Sequence, residues 1–150
     1  MSNKKTTTIE QLNSLLANTK ESVKGFTKAS ELVESEAMKK YFLEKADRRS
    51  AYSVEIETAI RAIGGMAEDQ ELVLGTLHRA WMDIKSAFAT DDNKAMLEEC
   101  KRGDENCLED YRTILKSADL PASARNVLNR QQDEVVTSIS AFKQLQSVDM

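Results

Sequence analysis

Apolar residues recur along most of this chain at intervals of three and four positions, which is the spacing of one buried face on an α-helix. In the first such stretch Thr7 and Glu10 fit a capping box, and the pattern predicts helix A from about Ile9 to Val33. The predicted buried face of helix A consists of Ile9, Leu12, Leu16, Thr19, Val23, Phe26, Ser30 and Val33.

A second helix, B, begins after a very short joint. Ser35 can cap its start, and Gly64 followed by Gly65 ends it. Its predicted buried face consists of Phe42, Ala46, Arg49, Ser53, Ile56, Ile60 and Ile63. Because the joint is so short, helices A and B are expected to form an antiparallel hairpin.

Three further stretches carry the helical spacing. The segment after helix B predicts a helix of its own, on the positions Leu74, Leu77, Trp81, Ile84 and Phe88. Helix C starts after a cap at Asp91, Asp92 and Asn93, and its predicted buried face is Leu97, Cys100, Asp104, Cys107, Tyr111, Ile114 and Ala118. Helix D follows Leu120 and Pro121, and its predicted buried face is Ala124, Leu128, Gln131, Val135, Ser138, Phe142 and Leu145.

Four long helices of similar length predict an all-α four-helix bundle. A helical crossover between the second and third bundle helices would make helix C parallel to helix B, as in ferritin-like folds. An irregular array of five helices is the alternative. Residues 1–8 are expected to be a disordered tail, residues 9–146 a single domain, and residues 147–150 a frayed end.

Charge and composition narrow the function. The net charge of -4 gives no basic field for nucleic acid, so no nucleic-acid partner is expected. No apolar run is long enough to span a bilayer and the N-terminus lacks a secretory pattern, which predicts a cytoplasmic protein without membrane attachment. Cys100 and Cys107 would lie roughly 10 Å apart along one helix, too far for a disulfide, and are interpreted as small buried hydrophobes.

The middle of the predicted bundle is polar. Arg49 on helix B and Asp104 on helix C are the charged residues of the predicted faces and would lie at nearly the same depth. One interpretation is a buried salt bridge that fixes helix register, because an unpaired charge there would be costly. The other interpretation is a variant of the active centre that bundles often build at this level.

A metal centre finds little support in the residue types. A di-iron bundle site needs two Glu-x-x-His motifs, whereas the only histidine here, His78, falls in the crossover. Together with Arg79 and Trp81 it is interpreted as a packing motif. Acidic residues that could still approach a hard cation are Glu21, Glu44, Asp47, Glu98, Glu99, Asp104 and Glu105. Such charges more often form a solvated helix face, so no cofactor is expected.

Several short motifs together resemble a known family. They are Lys20-Glu21 with Gly25-Phe26, Gly64-Gly65, the crossover run from Gly75 through His78-Arg79 to Trp81-Met82, and Glu99 with Gly103-Asp104 and Tyr111. Over about Ile9 to Leu145 the chain resembles an uncharacterised bacterial family of four-helix-bundle proteins, a domain of unknown function in the ferritin-like superfamily. The resemblance implies a fold and no catalytic residue.

Two functional hypotheses follow. The first is a non-catalytic, stress- or housekeeping-associated bundle that acts through self-association, as a dimer for example, or through a protein partner. The second is a ferritin-like carboxylate protein that binds a metal or acts on a small oxidant at the polar level of the bundle.

Overall fold

The computed structural model describes residues 2–68, 93–117 and 119–147, and these residues form four α-helices. They are α1 (Ser2–Leu32), α2 (Glu36–Ala62), α3 (Asn93–Leu115) and α4 (Ala122–Gln146). The predicted helices A to D correspond to α1 to α4, and the described part of the chain contains no strand. The helix predicted around Leu74 to Phe88 lies outside the described residues.

The start of α1 differs from the prediction. The helix begins at Ser2, so residues that were expected to form a disordered tail are helical. One reason lies at Thr8, which is only 2% exposed and whose hydroxyl lies 2.7 Å from that of Ser117 at the end of α3. This tertiary contact holds the first turns against the bundle, and a polar sequence without apolar periodicity gives no sign of it.

Both ends of α2 follow the predicted signals, whereas the capping box predicted at Thr7 and Glu10 lies inside α1. Ser35 caps α2 by accepting a hydrogen bond from the backbone N–H of Met38 at 3.3 Å. At the other end Gly64 has a φ of 85°, a left-handed conformation that glycine adopts without steric cost. Gly65 fills a different need, since a Cβ there would lie 2.9 Å from the side chain of Ile9.

The helices pack with neighbours antiparallel. Backbone contacts join α1 to α2, α3 to α4, α1 to α3, and α2 to α4. Because Thr8 meets Ser117 and Asn18 meets Asp110, α1 is antiparallel to α3 as well as to α2. It follows that α2 and α3 run parallel and lie diagonally across the bundle. This is the relation predicted for helices B and C.

The core has two apolar layers. One contains Leu16, Ile60 and Tyr111, and the other contains Phe26 and Phe142. Between them lies a layer of buried polar residues, with Thr19 on α1, Arg49 and Ser53 on α2, Asp104 on α3, and Gln131 and Ser138 on α4. Within the described ranges, no helix combines the length and apolar character that crossing a bilayer requires.

Candidate functional site at the bundle centre

The structure brings Arg49 and Asp104 together across the bundle. Arg49 Nη1 donates to Asp104 Oδ1 at 2.7 Å, and the two side chains are 2% and 0% exposed. The second carboxylate oxygen, Oδ2, accepts a hydrogen bond from the Ser138 hydroxyl of α4. Helices α2, α3 and α4 are therefore tied at one level by a buried ion pair whose carboxylate uses both oxygens.

A second carboxylate, Glu134 of α4, lies beside this pair. Its Oε1 accepts from Arg49 Nε at 3.3 Å, and its Oε2 lies 3.5 Å from Lys45 Nζ. Lys45 is one helical turn before Arg49, so both cations extend from the same side of α2. The side chains of Lys45 and Glu134 are 9% and 16% exposed, which puts them at the edge of the core. Two cations and two carboxylates balance in this cluster.

Aromatic rings enclose the cationic side of the cluster. Lys45 Nζ lies 5.3 to 5.5 Å from the ring centroids of Phe26, Tyr41 and Phe142. The guanidinium carbon of Arg49 lies 5.2 Å from the Phe26 centroid. These distances are within the range of cation–π attraction, which favours the charged forms of both side chains.

Burial and charge act in opposite directions on the two cations. Burial alone would lower the pKa of Arg49, but the Asp104 and Glu134 carboxylates more than reverse this and raise it. For Lys45, burial prevails and lowers the pKa, although Asp104 and Glu134 raise it; the charge of Arg49 lowers it further. Burial, followed by the charges of Asp104 and Glu134, raises the pKa of Tyr41 to about 12.

One donor of the cluster has no hydrogen-bond acceptor among the described residues. Arg49 Nη2 is buried and no acceptor reaches it. The face of the Phe26 ring beside the guanidinium is only a weak hydrogen-bond acceptor. Buried donors are almost always satisfied in proteins, so this nitrogen is a place where a small polar molecule would gain a hydrogen bond.

A second polar chain crosses the bundle from Tyr111, in one apolar layer, through Gln131 of the polar layer. The Tyr111 hydroxyl donates to Gln131 Oε1 at 2.8 Å, and Gln131 Nε2 donates to Glu55 Oε1 at 2.9 Å. Arg130 Nη2 donates to the other oxygen of Glu55 at 2.7 Å. Burial raises the pKa of Tyr111 well above 10.0, so its hydroxyl stays protonated as a donor. This chain joins α2, α3 and α4 without a reactive group.

The acidic residues predicted as metal candidates lie in different settings. Glu44 and Asp47 are exposed on α2. Glu21 of α1 is 5% exposed and lies 3.5 Å from Lys24, and Glu99 of α3 pairs with Arg102 at 2.9 Å. Among the residues that the structure describes, no three acidic, histidine or cysteine side chains converge on one point. Arg49, Ser138 and Lys45 contact the oxygens of the two central carboxylates.

Of the other residues singled out in the sequence, the two cysteines are described by the structure and the crossover motif is not. Cys100 and Cys107 are buried free thiols, and burial, as the largest cause, raises the pKa of each. The raised pKa favours the protonated thiol at both positions, and their burial agrees with the interpretation as small buried hydrophobes. His78, Arg79 and Trp81 fall outside the described residues, and so does the packing role predicted for them.

The sequence prediction missed Lys45 and Glu134. The predicted faces include only positions that repeat at intervals of three and four, and both residues flank those positions. Long charged side chains at flanking positions can turn inward along apolar neighbours and keep their charged ends at the edge of the core. The sequence does show that Lys45 lies one turn before Arg49 on α2. If both cations are buried, they require two carboxylates nearby, which would have pointed to a second acidic residue besides Asp104.

Comparison with known proteins adds a family. Residues 7–117 match the family described as a domain of unknown function (DUF2383). The match covers most of α1 and all of α2 and α3, and it ends before α4. No curated protein and no solved structure matches the chain.

Proposed function

Since the chain belongs to the DUF2383 family, a domain of unknown function, we propose from its own surface that it is a non-catalytic bundle protein acting by self-association. A stress-related or housekeeping role in the bacterial cytoplasm is part of this proposal, and the two free buried cysteines support such a location. The proposal also includes membership of the ferritin-like superfamily, and the parallel course of α2 and α3 supports it.

The observation that carries the proposal is a strip on the outward face of α2 that has an exposed apolar side chain near each end. Leu43 and Val54 are 50% and 59% exposed, although both are large apolar side chains. They are eleven positions apart, which is three helical turns, so they lie on the same face about 16 Å from each other. Asp47, Ser50 and Ala51 between them are exposed as well.

This strip is compatible with a two-fold dimer. In an isologous contact residue i of one copy meets residue j of the other, and j meets i. Two antiparallel copies of α2 that cross between residues 48 and 49 would pair Leu43 with Val54 of the second copy, twice. The same register pairs Asp47 with Ser50, a small polar residue that leaves room for close approach.

The bundle centre supports the non-catalytic part of the proposal. Catalytic groups need free lone pairs or acidic protons that face a substrate. Here the carboxylate oxygens of Asp104 and Glu134 are engaged by Arg49, Ser138 and Lys45. The two central carboxylates are thus held in ion pairs and hydrogen bonds of an internal network, in which Arg49 Nη2 is the group without an acceptor among the described residues.

The test is the molar mass in solution over a range of concentrations, by light scattering and sedimentation. We expect a concentration-dependent dimer that Leu43→Glu weakens. Because Leu43 occurs twice in the contact, a loss of about 1 kcal/mol per copy corresponds to roughly 30-fold in Kd. Val136→Glu on α4 is the matched control, since Val136 is 45% exposed and lies on another helix.

Two outcomes contradict the proposal. A wild-type protein that stays monomeric at all concentrations would refute self-association. If Val136→Glu weakens the dimer as strongly as Leu43→Glu, association occurs but not through the outward face of α2.

A further inference from the structure

The network at the bundle centre leaves one nucleophile, the amine of Lys45, in an unusual setting. Lysine acts as a nucleophile only as the neutral amine, and burial in an apolar pocket or a second cation nearby favours that form. Lys45 has both, because its side chain is 9% exposed among three aromatic rings and Arg49 lies one turn away. Lys40 on the same helix has neither, because it is exposed and Glu36 and Glu44 occupy the positions one turn away from it.

Two carboxylates and three aromatic rings favour the charged ammonium of Lys45, but the carboxylates are shared with other donors. Among the residues that the structure describes, Glu134 is the carboxylate in contact with Nζ, at 3.5 Å, and it is shared with Arg49. Asp104 is taken up by Arg49 and Ser138. The cation–π contacts favour the charged form, yet the net effect of the surroundings is a lowered pKa of Lys45, with burial as the largest cause.

We propose that Lys45 is a covalent capture site for small uncharged aldehydes, which form an imine at Nζ. The class of ligand follows from the site. Because the cluster already balances two cations against two carboxylates, a further charge would enter without a partner. The rings of Phe26, Tyr41 and Phe142 favour a small apolar body. The site binds stoichiometrically and does not depend on association through α2.

Lys45 and Glu134 can together carry out the proton transfers that imine formation requires. Glu134 takes a proton from the Lys45 ammonium, and the neutral nitrogen adds to the carbonyl carbon to form the C–N bond. The carbonyl oxygen collects the nitrogen's proton and becomes the hydroxyl of a carbinolamine. Glu134 then returns its proton, the C–O bond breaks, and water leaves. One ammonium and one aldehyde thus give one iminium and one water, with no oxidant or reductant required.

Competitive labelling of the native full-length protein tests the proposal. Trace formaldehyde with cyanoborohydride methylates lysines through the same imine, and peptide mass spectrometry after Glu-specific cleavage compares Lys45 with Lys40. At neutral pH Lys45 should react faster than Lys40, by about tenfold for each unit by which its pKa lies below that of an ordinary exposed lysine. In urea the two rates should become equal, because the advantage comes from the fold.

Two variants and a charged aldehyde test whether the adduct forms at Lys45 and whether the site prefers uncharged ligands. Lys45→Arg keeps the cation and should abolish the preferred adduct, whereas Leu43→Glu should leave it intact. Glyoxylate, a charged aldehyde, should show no preference for Lys45; a preference for it would overturn the ligand class. Slower labelling of Lys45 than of Lys40 in the native protein would overturn the proposal and identify Lys45 as an enclosed structural ammonium.

Discussion

Removal of the Asp104 carboxylate should destabilise this protein far more than removal of the whole ion pair. In Asp104→Ala, Arg49 Nη1 and the Ser138 hydroxyl lose their acceptor inside a layer that water does not reach. In the double variant Arg49→Met with Asp104→Ala the guanidinium is gone too. Glu134 then keeps Lys45 as its partner. The cost of the first change is thus largely the cost of leaving a charge unpaired.

The magnitudes follow from the contacts. Breaking a buried pair by removing one partner costs about 3 to 5 kcal/mol. Arg49 retains Glu134 through Nε at 3.3 Å, so the lower end, about 3 kcal/mol, is expected for Asp104→Ala. Arg49→Met leaves a carboxylate that is 0% exposed with only a hydroxyl and should cost a similar amount. The double variant should cost about 1 to 2 kcal/mol, mainly for the cavity and the Ser138 hydroxyl.

Urea unfolding at pH 7, followed by circular dichroism, gives all three values, and an unchanged m-value shows that they are comparable. Glu109→Ala serves as the control, because Glu109 pairs with Arg112 at 3.0 Å on the surface of α3. Its loss should be less than about 0.5 kcal/mol. A double variant that costs the sum of the two single variants would refute the reasoning, because independent sites add and coupled ones do not.

Three further changes test other parts of the structure. Burial raises the pKa of Asp110 to about 6 against 3.8 for the free carboxyl, so the folded state holds the proton more tightly and stability falls as pH rises from about 4 to 6. Asp110→Asn should remove this fall in thermal melts and stabilise the protein at pH 7 by on the order of 2 kcal/mol; an unchanged pH profile would contradict it. Gly65→Ala should cost about 1 to 2 kcal/mol by overpacking against Ile9, and Ile9→Ala should abolish that cost, which the urea midpoints of both backgrounds show. Protein purified without chelator and titrated with iron or manganese should bind less than one equivalent, and a full equivalent by elemental analysis would revive the carboxylate metal hypothesis.

The bundle itself was predictable because one buried face repeats over many turns. On α2 the predicted positions Phe42, Arg49 and Ile60 are all buried, and the polar level at Arg49 follows from the same repeat. The helix start at Ser2 was not predictable, since it depends on a contact between Thr8 and a residue 109 positions away. Tertiary contacts of polar side chains leave no periodic trace in a sequence.

Two of the four charged residues of the candidate site were predictable from the sequence, again because they lie on the repeating buried face. Arg49 and Asp104 occupy repeat positions, whereas Lys45 and Glu134 reach the centre from flanking positions with long flexible side chains. Periodicity locates the Cα of a residue on a face but does not fix where the rotatable bonds of a long side chain carry its charged end. The requirement of charge balance, applied to each buried cation, supplies the missing information.

The diagonal position of the ion pair explains why a polar layer is retained at all. Helices α2 and α3 lie diagonally, so their relative height is set by side chains that meet across the centre of the bundle, such as Arg49 and Asp104. On the α3 face Asp104 stands between Cys100 and Cys107, both buried. A slip of α2 by one turn toward the Cys100 end of α3 would place Arg49 opposite that thiol and Ser53 opposite Asp104, at a cost of several kcal/mol. The opposite slip would bring Lys45 to Asp104 but place the Arg49 guanidinium opposite Cys107. Apolar faces with a uniform repeat penalise such a slip only weakly, because one aliphatic side chain replaces another. The charges therefore specify the register of the two parallel helices even where they add little to stability.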